Sequence, residues 1–210
     1  GLPVTAAYII LAILCAPALA GILSDTIIIE KLIHGLTDPA QAAMFMLVDS
    51  PHAAKVMVGM TLEEAASLMS AMPFEVAMTV RPMLVEAETL MGFLLVAHLI
   101  IFWLSQDSNV TPPVCLAAFT AAGIAKSPRM ATGFQAWKAA KGLYVMPLLF
   151  AYTPLINGTF LEMCQIGFFA VFGLYATNAV IARFAEGPLA LWHWPLLVTG
   201  AVLCYVPLDL

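Results

Sequence analysis

The sequence predicts an all-α, polytopic membrane protein. The chain has 210 residues, of which 62% are hydrophobic and only 10% are charged, and its mean hydropathy is +0.97. A soluble domain has about 25% charged and about 45–50% apolar residues, so the composition lies outside that class. The apolar residues also form runs that are long enough, as helices, to cross much of a bilayer.

Charge, cysteines and motifs exclude several functions. The 13 acids outnumber the 8 bases, and no basic block or arginine-rich helix is present, which excludes a nucleic-acid partner. The cysteines Cys15, Cys115, Cys164 and Cys204 stand singly in apolar runs, so neither a disulfide framework nor a zinc site is indicated. Serine-nucleophile, paired-carboxylate, metalloprotease and phosphate-loop motifs are absent, and an enzyme is not predicted.

The first element, residues 1–23, is a predicted membrane helix, because Pro3–Leu23 is almost wholly apolar. The chain starts at Gly1 with no methionine and no basic flank, which is unlike a signal peptide. We therefore expect it to be a piece of a longer protein. Pro3 suits the first turn of a helix whose free N–H groups point back toward Gly1, where an anionic group could bind; an ordinary helix start is the simpler alternative.

Residues 24–88 are predicted to form an extramembrane helical insertion. The segment contains nine acids, three bases and recurrent prolines, and no run in it is long and apolar enough to span a bilayer. Three sequences look like helix starts: Thr37-Asp38-Pro39, Ser50-Pro51, and Thr61 followed by Glu64 at the capping-box spacing. Several short helices are expected.

Residues 89–125 are predicted to form a discontinuous transmembrane helix. The apolar run 91–104 would reach only about 21 Å, short of the roughly 30 Å bilayer core, so it is not expected to cross alone. A polar run, 105–109, and the sequence Val110-Thr111-Pro112-Pro113 follow, and then a second short apolar piece, 114–125. Two half-helices around a polar break are the simplest interpretation.

Residues 126–142 are predicted to be cytoplasmic and residues 143–210 to supply the C-terminal transmembrane helices. Four of the eight bases lie in 126–141, and basic residues in short loops favour the cytoplasmic side. Three candidate spans follow, at 142–156, 162–181 and 188–208. Counting crossings places the insertion on the opposite side and Arg183 inside.

The polar break is the candidate functional site. Pro112 and Pro113 have no N–H, so they would leave the carbonyls of Ser108 and Asn109 without helical donors. Irregular backbone at membrane depth is tolerated where it is buried in protein or lines a watery cavity, and transporters place coupling ions at such breaks. These carbonyls and the hydroxyl of Thr111 would suit sodium. A simple proline kink remains the alternative.

Asp107 is a second candidate, because intramembrane carboxylates are usually functional, as ion ligands or proton relays. It could instead cap the second half-helix or pair with a base elsewhere in the parent protein. His98, inside the apolar run, is predicted to be an interhelical hydrogen-bonding residue rather than a ligand.

Two motifs, Gly1-Leu-Pro-Val-Thr-Ala-Ala-Tyr8 and Ser105-Gln-Asp-Ser-Asn-Val-Thr-Pro-Pro-Val-Cys-Leu-Ala-Ala-Phe119, resemble one family. They look like the C-terminal part of a fused permease of a TRAP (tripartite ATP-independent periplasmic) transporter, of the kind that works with TAXI-type binding proteins. Phe150-Ala-Tyr-Thr-Pro154 resembles the family's next membrane helix. The resemblance places the insertion at 24–88 on the periplasmic side, and the insertion is longer than the linker typical of the family.

The resemblance implies an elevator-type, sodium-coupled importer of organic acids in a bacterial or archaeal cytoplasmic membrane. Residues 1–8 would be the tip and second arm of a re-entrant hairpin. The coupling Na⁺, with no organic cofactor, would be held by oxygens of a set drawn from both motifs: Gly1, Ser108, Asn109, Val110, Thr111 and Pro112. Val4 and Thr5 stand where dicarboxylate-type members carry an aspartate, so the family's substrate contacts do not carry over; Pro3, Thr5 and Asp107 are the candidate substrate-binding residues of this chain.

The resemblance also implies partners: a periplasmic TAXI-type binding protein, the rest of the fused permease with its small membrane subunit, and membrane lipid. The competing hypothesis is a non-transporting or channel-like membrane subunit in which Pro112-Pro113 is only a kink.

Overall fold

The fold is entirely helical. The computed structural model describes residues 3–185 and 187–205, and within these it contains ten α-helices, two short 3₁₀ segments and no strand. Three of the described helices are long and apolar enough to span a membrane: Val4–His34, Ala87–Asn109 (which includes a terminal 3₁₀ turn) and Phe160–Ala182. The chain is therefore a membrane protein, and it divides into two compact units, residues 14–97 and the remainder.

Helix α1 (Val4–His34) is longer than the sequence predicts. The expected end at Leu23 was wrong, because the polar residues that begin at Ser24 mark a change of surroundings and not the end of a helix. No glycine or proline interrupts residues 22–34. The helix ends before Gly35, whose φ of +81° is typical of the residue that terminates a helix.

The unit 14–97 has its own hydrophobic core. Helices α2 (Pro39–Phe45), α3 (Leu62–Ser70) and α4 (Phe74–Leu84) pack with the C-terminal half of α1, and Ala53–Lys55 forms a 3₁₀ turn. The largest apolar side chains that are fully buried are Ile28, Leu32, Phe45, Leu68 and Val56. Burying such side chains contributes about 1.5–3 kcal/mol each, so residues 24–88 form a packed helical unit rather than a loop.

One stripe of α1 holds this unit by polar contacts as well. Arg81 of α4 forms a two-pronged ion pair with Asp25, with both N–O distances at 2.9 Å. Gly21 lies one turn earlier, and a β-carbon there would be 2.8 Å from the Arg81 guanidinium. Ser24, fully buried, donates to the Gly21 carbonyl at 2.7 Å. A small residue at 21 thus makes room for the arginine.

The predicted helix starts are confirmed at two of the three positions. The Asp38 carboxylate accepts a hydrogen bond from the Ala40 N–H, and Pro39 opens α2. Thr61 and Glu64 form a reciprocal capping box at the start of α3. Ser50-Pro51 starts no α-helix; the Ser50 hydroxyl only accepts the His52 N–H before the 3₁₀ turn.

The capping glutamate makes the unit 14–97 sensitive to acid. The Lys55 ammonium, 2.5 Å from the carboxylate, and the Thr61 N–H lower the pKa of Glu64 from 4.5 to about 2. A carboxylate with a depressed folded-state pKa contributes stability above pH 4.5, and this contribution is lost as the pH falls from 4.5 toward 2.

We therefore expect Glu64→Gln to reduce the difference between the thermal unfolding midpoints at pH 6 and pH 3. Glu63→Gln is the matched control, because the Glu63 side chain is exposed and makes no hydrogen bond to the described residues. An equal reduction by both substitutions would contradict this assignment.

Helix α5 (Ala87–Ser105) corrects the predicted half-helix. It begins four residues before Met91, because Ala87 to Leu90 are compatible with a helix despite their polar members. Its 19 residues extend about 28 Å, and with the following 3₁₀ turn it is long enough to cross a membrane. The expectation that this segment is too short to cross alone was wrong.

The remaining helices are α6 (Leu116–Ala125), α7 (Arg129–Ala139), α8 (Gly142–Tyr152), α9 (Phe160–Ala182) and α10 (His193–Tyr205). Of the three C-terminal spans predicted, only α9 is long enough within the described residues; α8 has 11 residues and the described α10 has 13. Helix α10 packs along α9, and α7 packs on α6 and α9.

Candidate functional site

The polar break lies between α5 and α6 and begins at a buried serine. Ser105, at the end of α5, donates its hydroxyl hydrogen bond to the Ile101 carbonyl at 2.7 Å. Gln106–Asn109 form a 3₁₀ turn, and an irregular stretch leads from Val110 to the start of α6. The side chains of residues 106–112 are partly buried.

A cluster of three oxygen-bearing side chains occupies this break, and we call it the Asp107 cluster. The Asp107 Oδ1 atom accepts hydrogen bonds from the Thr111 hydroxyl and from the Tyr144 hydroxyl of α8, each at 2.5 Å. The two hydroxyl oxygens are 3.5 Å apart. Trp137 of α7 donates its indole N–H to the Tyr144 oxygen at 3.0 Å.

Two backbone carbonyls beside the cluster have no hydrogen-bond donor within the part of the chain that the structure describes, as the proline pair predicts. The N–H groups of Val110 and Thr111 both donate to the Asp107 carbonyl, at 3.1 and 2.9 Å. Among the described residues, no backbone N–H outside the helices and no side chain donates to the carbonyls of Ser108 or Asn109. Carbonyl oxygens, hydroxyls and one carboxylate therefore lie within a single turn.

The structure joins some predicted site residues and not others. Asp107 and Thr111 are in direct contact, with Ser108 in the same turn. No hydrogen bond among the described residues connects Pro3 or Thr5 to this turn; Pro3 instead accepts the Ala7 N–H just before α1. Gly1 lies outside the described residues.

Contacts decide the capping alternative for Asp107 and the prediction for His98. Asp107 does not cap α6, whose N-cap position is Cys115, because the irregular stretch places Asp107 too far before that helix. Among the described ion pairs, Asp107 has no basic partner. His98 behaves as predicted: its Nδ1 atom is 3.1 Å from the Tyr8 hydroxyl of α1.

The sequence did not identify Tyr144, Trp137 or Lys141 as part of this site. The Lys141 ammonium lies 3.1 Å from the centroid of the Trp137 ring and 5.2 Å from that of Tyr144, a cation–π arrangement. The available signal was the spacing of Lys141, which follows Trp137 by four residues and precedes Tyr144 by three. Residues 126–142 were interpreted only as a cytoplasmic segment.

A glycine fixes the distance between α7 and the break. Gly133 is buried, and a β-carbon on it would lie 2.7 Å from the Cys115 sulfur and 3.1 Å from the Pro112 Cγ. Cys115 itself is fully buried. Helix α7 therefore contacts the break directly, and position 133 tolerates no larger side chain without movement of its neighbours.

The chain matches no known family model, no curated protein and no solved structure. The resemblance to TRAP permeases therefore rests on the sequence motifs alone.

Proposed function

We propose that the chain is a membrane permease component of a sodium-coupled, binding-protein-dependent secondary transporter that imports organic acids. Its partners would be a periplasmic TAXI-type binding protein and the remaining membrane parts of the transporter. The membrane would be a bacterial or archaeal cytoplasmic membrane.

One observation carries the proposal: the Asp107 carboxylate contacts the hydroxyls of Thr111 and Tyr144 at the break between α5 and α6, where two backbone carbonyls have no donor among the described residues. Hard cations bind oxygen ligands, and secondary transporters coordinate coupling ions where irregular backbone interrupts apolar helices. The residues present therefore fit sodium, and its ligands would be Thr111 and the carbonyls of Ser108 and Asn109. Bound sodium would supply a positive charge that responds to the ion gradient.

The protein's own residues have distinct tasks in this proposal. Tyr144 and Thr111 hold the Asp107 carboxylate by hydrogen bonds, which fixes its orientation. Trp137 in turn holds the Tyr144 hydroxyl. The charge of Asp107 would balance that of a bound cation, since no described base pairs with it.

The same hydrogen bonds are also consistent with a second candidate, a non-transporting membrane subunit. In that case the Asp107 cluster only satisfies polar groups at a proline kink, and no ion is bound.

Thermal stability in sodium and in potassium at equal ionic strength separates the two. A ligand that binds only the folded state at ten times its dissociation constant stabilises it by about 1.4 kcal/mol, or about 3–6 °C for a chain of this size. We expect this rise for the purified chain in sodium only. Thr111→Ala should abolish it and Thr111→Ser should retain it.

Thr120→Ala is the matched control, because the Thr120 hydroxyl donates only to the Leu116 carbonyl of its own helix, at 2.9 Å. Equal midpoints in sodium and potassium up to several hundred millimolar would reject the ion site. Retention of the sodium effect in a folded Thr111→Ala variant would reject Thr111 as its holder.

A further inference from the structure

A cleft lies between α7 and the C-terminal end of α9, and none of its lining residues belongs to the Asp107 cluster. Its volume is about 780 Å³, within the roughly 300–1,000 Å³ range of ligand sites. Polar side chains line one part, namely Gln135 and Lys138 of α7 with Asn178 and Arg183 of α9 and its end. Ile181 and its neighbours give the other part an apolar wall.

The cleft is positively charged. Neither Lys138 nor Arg183 forms an ion pair in the part of the chain that the structure describes, and no acid lines the cleft there. The negative ends of the α7 and α9 dipoles, at Ala139 and Ala182, offset about half a unit of charge each, so about one positive charge remains. An anion is the complementary ligand.

The polar groups are held in place by their surroundings. The Arg183 guanidinium carbon lies 5.3 Å from the centroid of the Trp194 ring, which orients it. The Asn178 Nδ2 donates to the Leu174 carbonyl at 3.0 Å, whereas its buried Oδ1 accepts no hydrogen bond from the described residues. An acceptor is thus left for a ligand that carries a hydroxyl group beside its anionic group.

The position of the cleft indicates the source of the anion. Arg183 directly follows Ala182, the last residue of a helix long enough to span the membrane, so the cleft lies at the level of the lipid head groups. Helix α9 exposes Phe168, Phe172 and Tyr175, an apolar face along which acyl chains can lie. Basic pockets at this depth bind anionic lipid head groups.

We propose that this cleft binds the phosphate of an anionic phospholipid with a hydroxylated head group, of the phosphatidylglycerol class, through Lys138 and Arg183. By the positive-inside prediction, the lipid comes from the cytoplasmic leaflet. The proposal requires only a membrane protein and does not depend on the sodium site.

The test measures the apparent dissociation constant of the full chain for short-chain phosphatidylglycerol by native mass spectrometry in a neutral detergent. Phosphatidylcholine with the same chains should bind about tenfold more weakly or worse, since it lacks the net charge. Lys138→Gln with Arg183→Gln should weaken phosphatidylglycerol binding about 30-fold, from about 1 kcal/mol per basic residue. Lys138→Arg with Arg183→Lys should retain binding.

Lys126→Gln is the matched control. Lys126 is also a basic residue that ends a helix in the left-handed region, with φ of +52° against +58° for Arg183, but it does not line the cleft. Its replacement should change binding by less than about fivefold, as expected of one exposed charge.

Three results would overturn the proposal. The first is equal binding of phosphatidylglycerol and phosphatidylcholine. The second is an equal loss in Lys126→Gln and in the folded double glutamine variant, which would indicate general surface charge. The third is competition by inorganic phosphate at the same concentration as the lipid, which would identify a free anion as the ligand.

Discussion

We expect Gly59→Ala to lower the free energy of unfolding of the unit 14–97 by about 3 kcal/mol or more. Gly59 has a φ of +97°, a conformation in which an alanine is strained by about 1–3 kcal/mol. A β-carbon there would also lie 2.7 Å from the Ile33 carbonyl oxygen, and a backbone atom cannot move aside cheaply. The two penalties add.

Gly35 makes the reciprocal contact at the end of α1. A β-carbon on Gly35 would lie 2.7 Å from the Met57 carbonyl oxygen, and the Leu36 N–H donates to the Val56 carbonyl at 2.8 Å. The two glycines thus allow two backbone segments to touch, and Gly35→Ala should be similarly destabilising.

Hydrogen exchange measured peptide by peptide tests this prediction on the full chain. A loss of 3 kcal/mol corresponds to a rise of about 100-fold in the opening of amides in residues 24–88. Gly123→Ala is the control, because Gly123 is helical with no atom within 4 Å of an added β-carbon, and alanine there should stabilise by about 0.8–1.0 kcal/mol. Unchanged exchange in Gly59→Ala would show that the two segments separate readily.

Local features of the fold could be predicted from the sequence. The cap at Asp38 and the capping box at Thr61 and Glu64 depend on residues within three positions of one another, and both form as predicted. Thr159 and Glu162 have the same spacing and open α9 in the same way. Such features need no tertiary partner, so spacing alone determines them.

Helix lengths could not be predicted, because hydropathy reports the surroundings of a segment and not its backbone. Helix α1 continues through polar residues since Asp25 meets Arg81 and Ile28 meets the small helices. These partners lie far away in the sequence, and no periodic pattern before Ser24 predicts the contacts with them.

The candidate site likewise contains one contact that the sequence predicts and others that depend on tertiary packing. The contact of Asp107 with Thr111 spans four residues and follows from the proline pair next to them, so the break was visible in the sequence. Tyr144 and Trp137 reach the break only because α7 and α8 pack there, and the sequence did not indicate that packing.

Gly133→Ala should test both the packing of α7 on the break and the geometry of the candidate site. The added β-carbon would meet the Cys115 sulfur at 2.7 Å and the Pro112 ring at 3.1 Å, both in the break. Overpacking of this kind costs about 1–3 kcal/mol. We expect α7 to move away from the break, with loss of the bond from Trp137 to Tyr144 and a decrease in any sodium-specific stabilisation.

Labelling of Cys115 by a small maleimide gives a direct measurement. In a background with Cys15, Cys164 and Cys204 replaced by alanine, the fully buried Cys115 should react slowly, and Gly133→Ala should increase its rate by about tenfold or more, as expected of a loss of 1.4 kcal/mol or more.

Removal of the clashing sulfur should separate overpacking from other effects of the substitution. If the clash with Cys115 is the cause, the double variant Gly133→Ala, Cys115→Ala should lose less free energy of unfolding than the two single variants lose together. The smaller side chain at position 115 leaves room for the new methyl group. Recovery of the sodium response in the double variant would tie the ion site to the seating of α7 on the break. Strictly additive losses, with Cys115 still protected in Gly133→Ala, would mean that α7 does not set the geometry of the break.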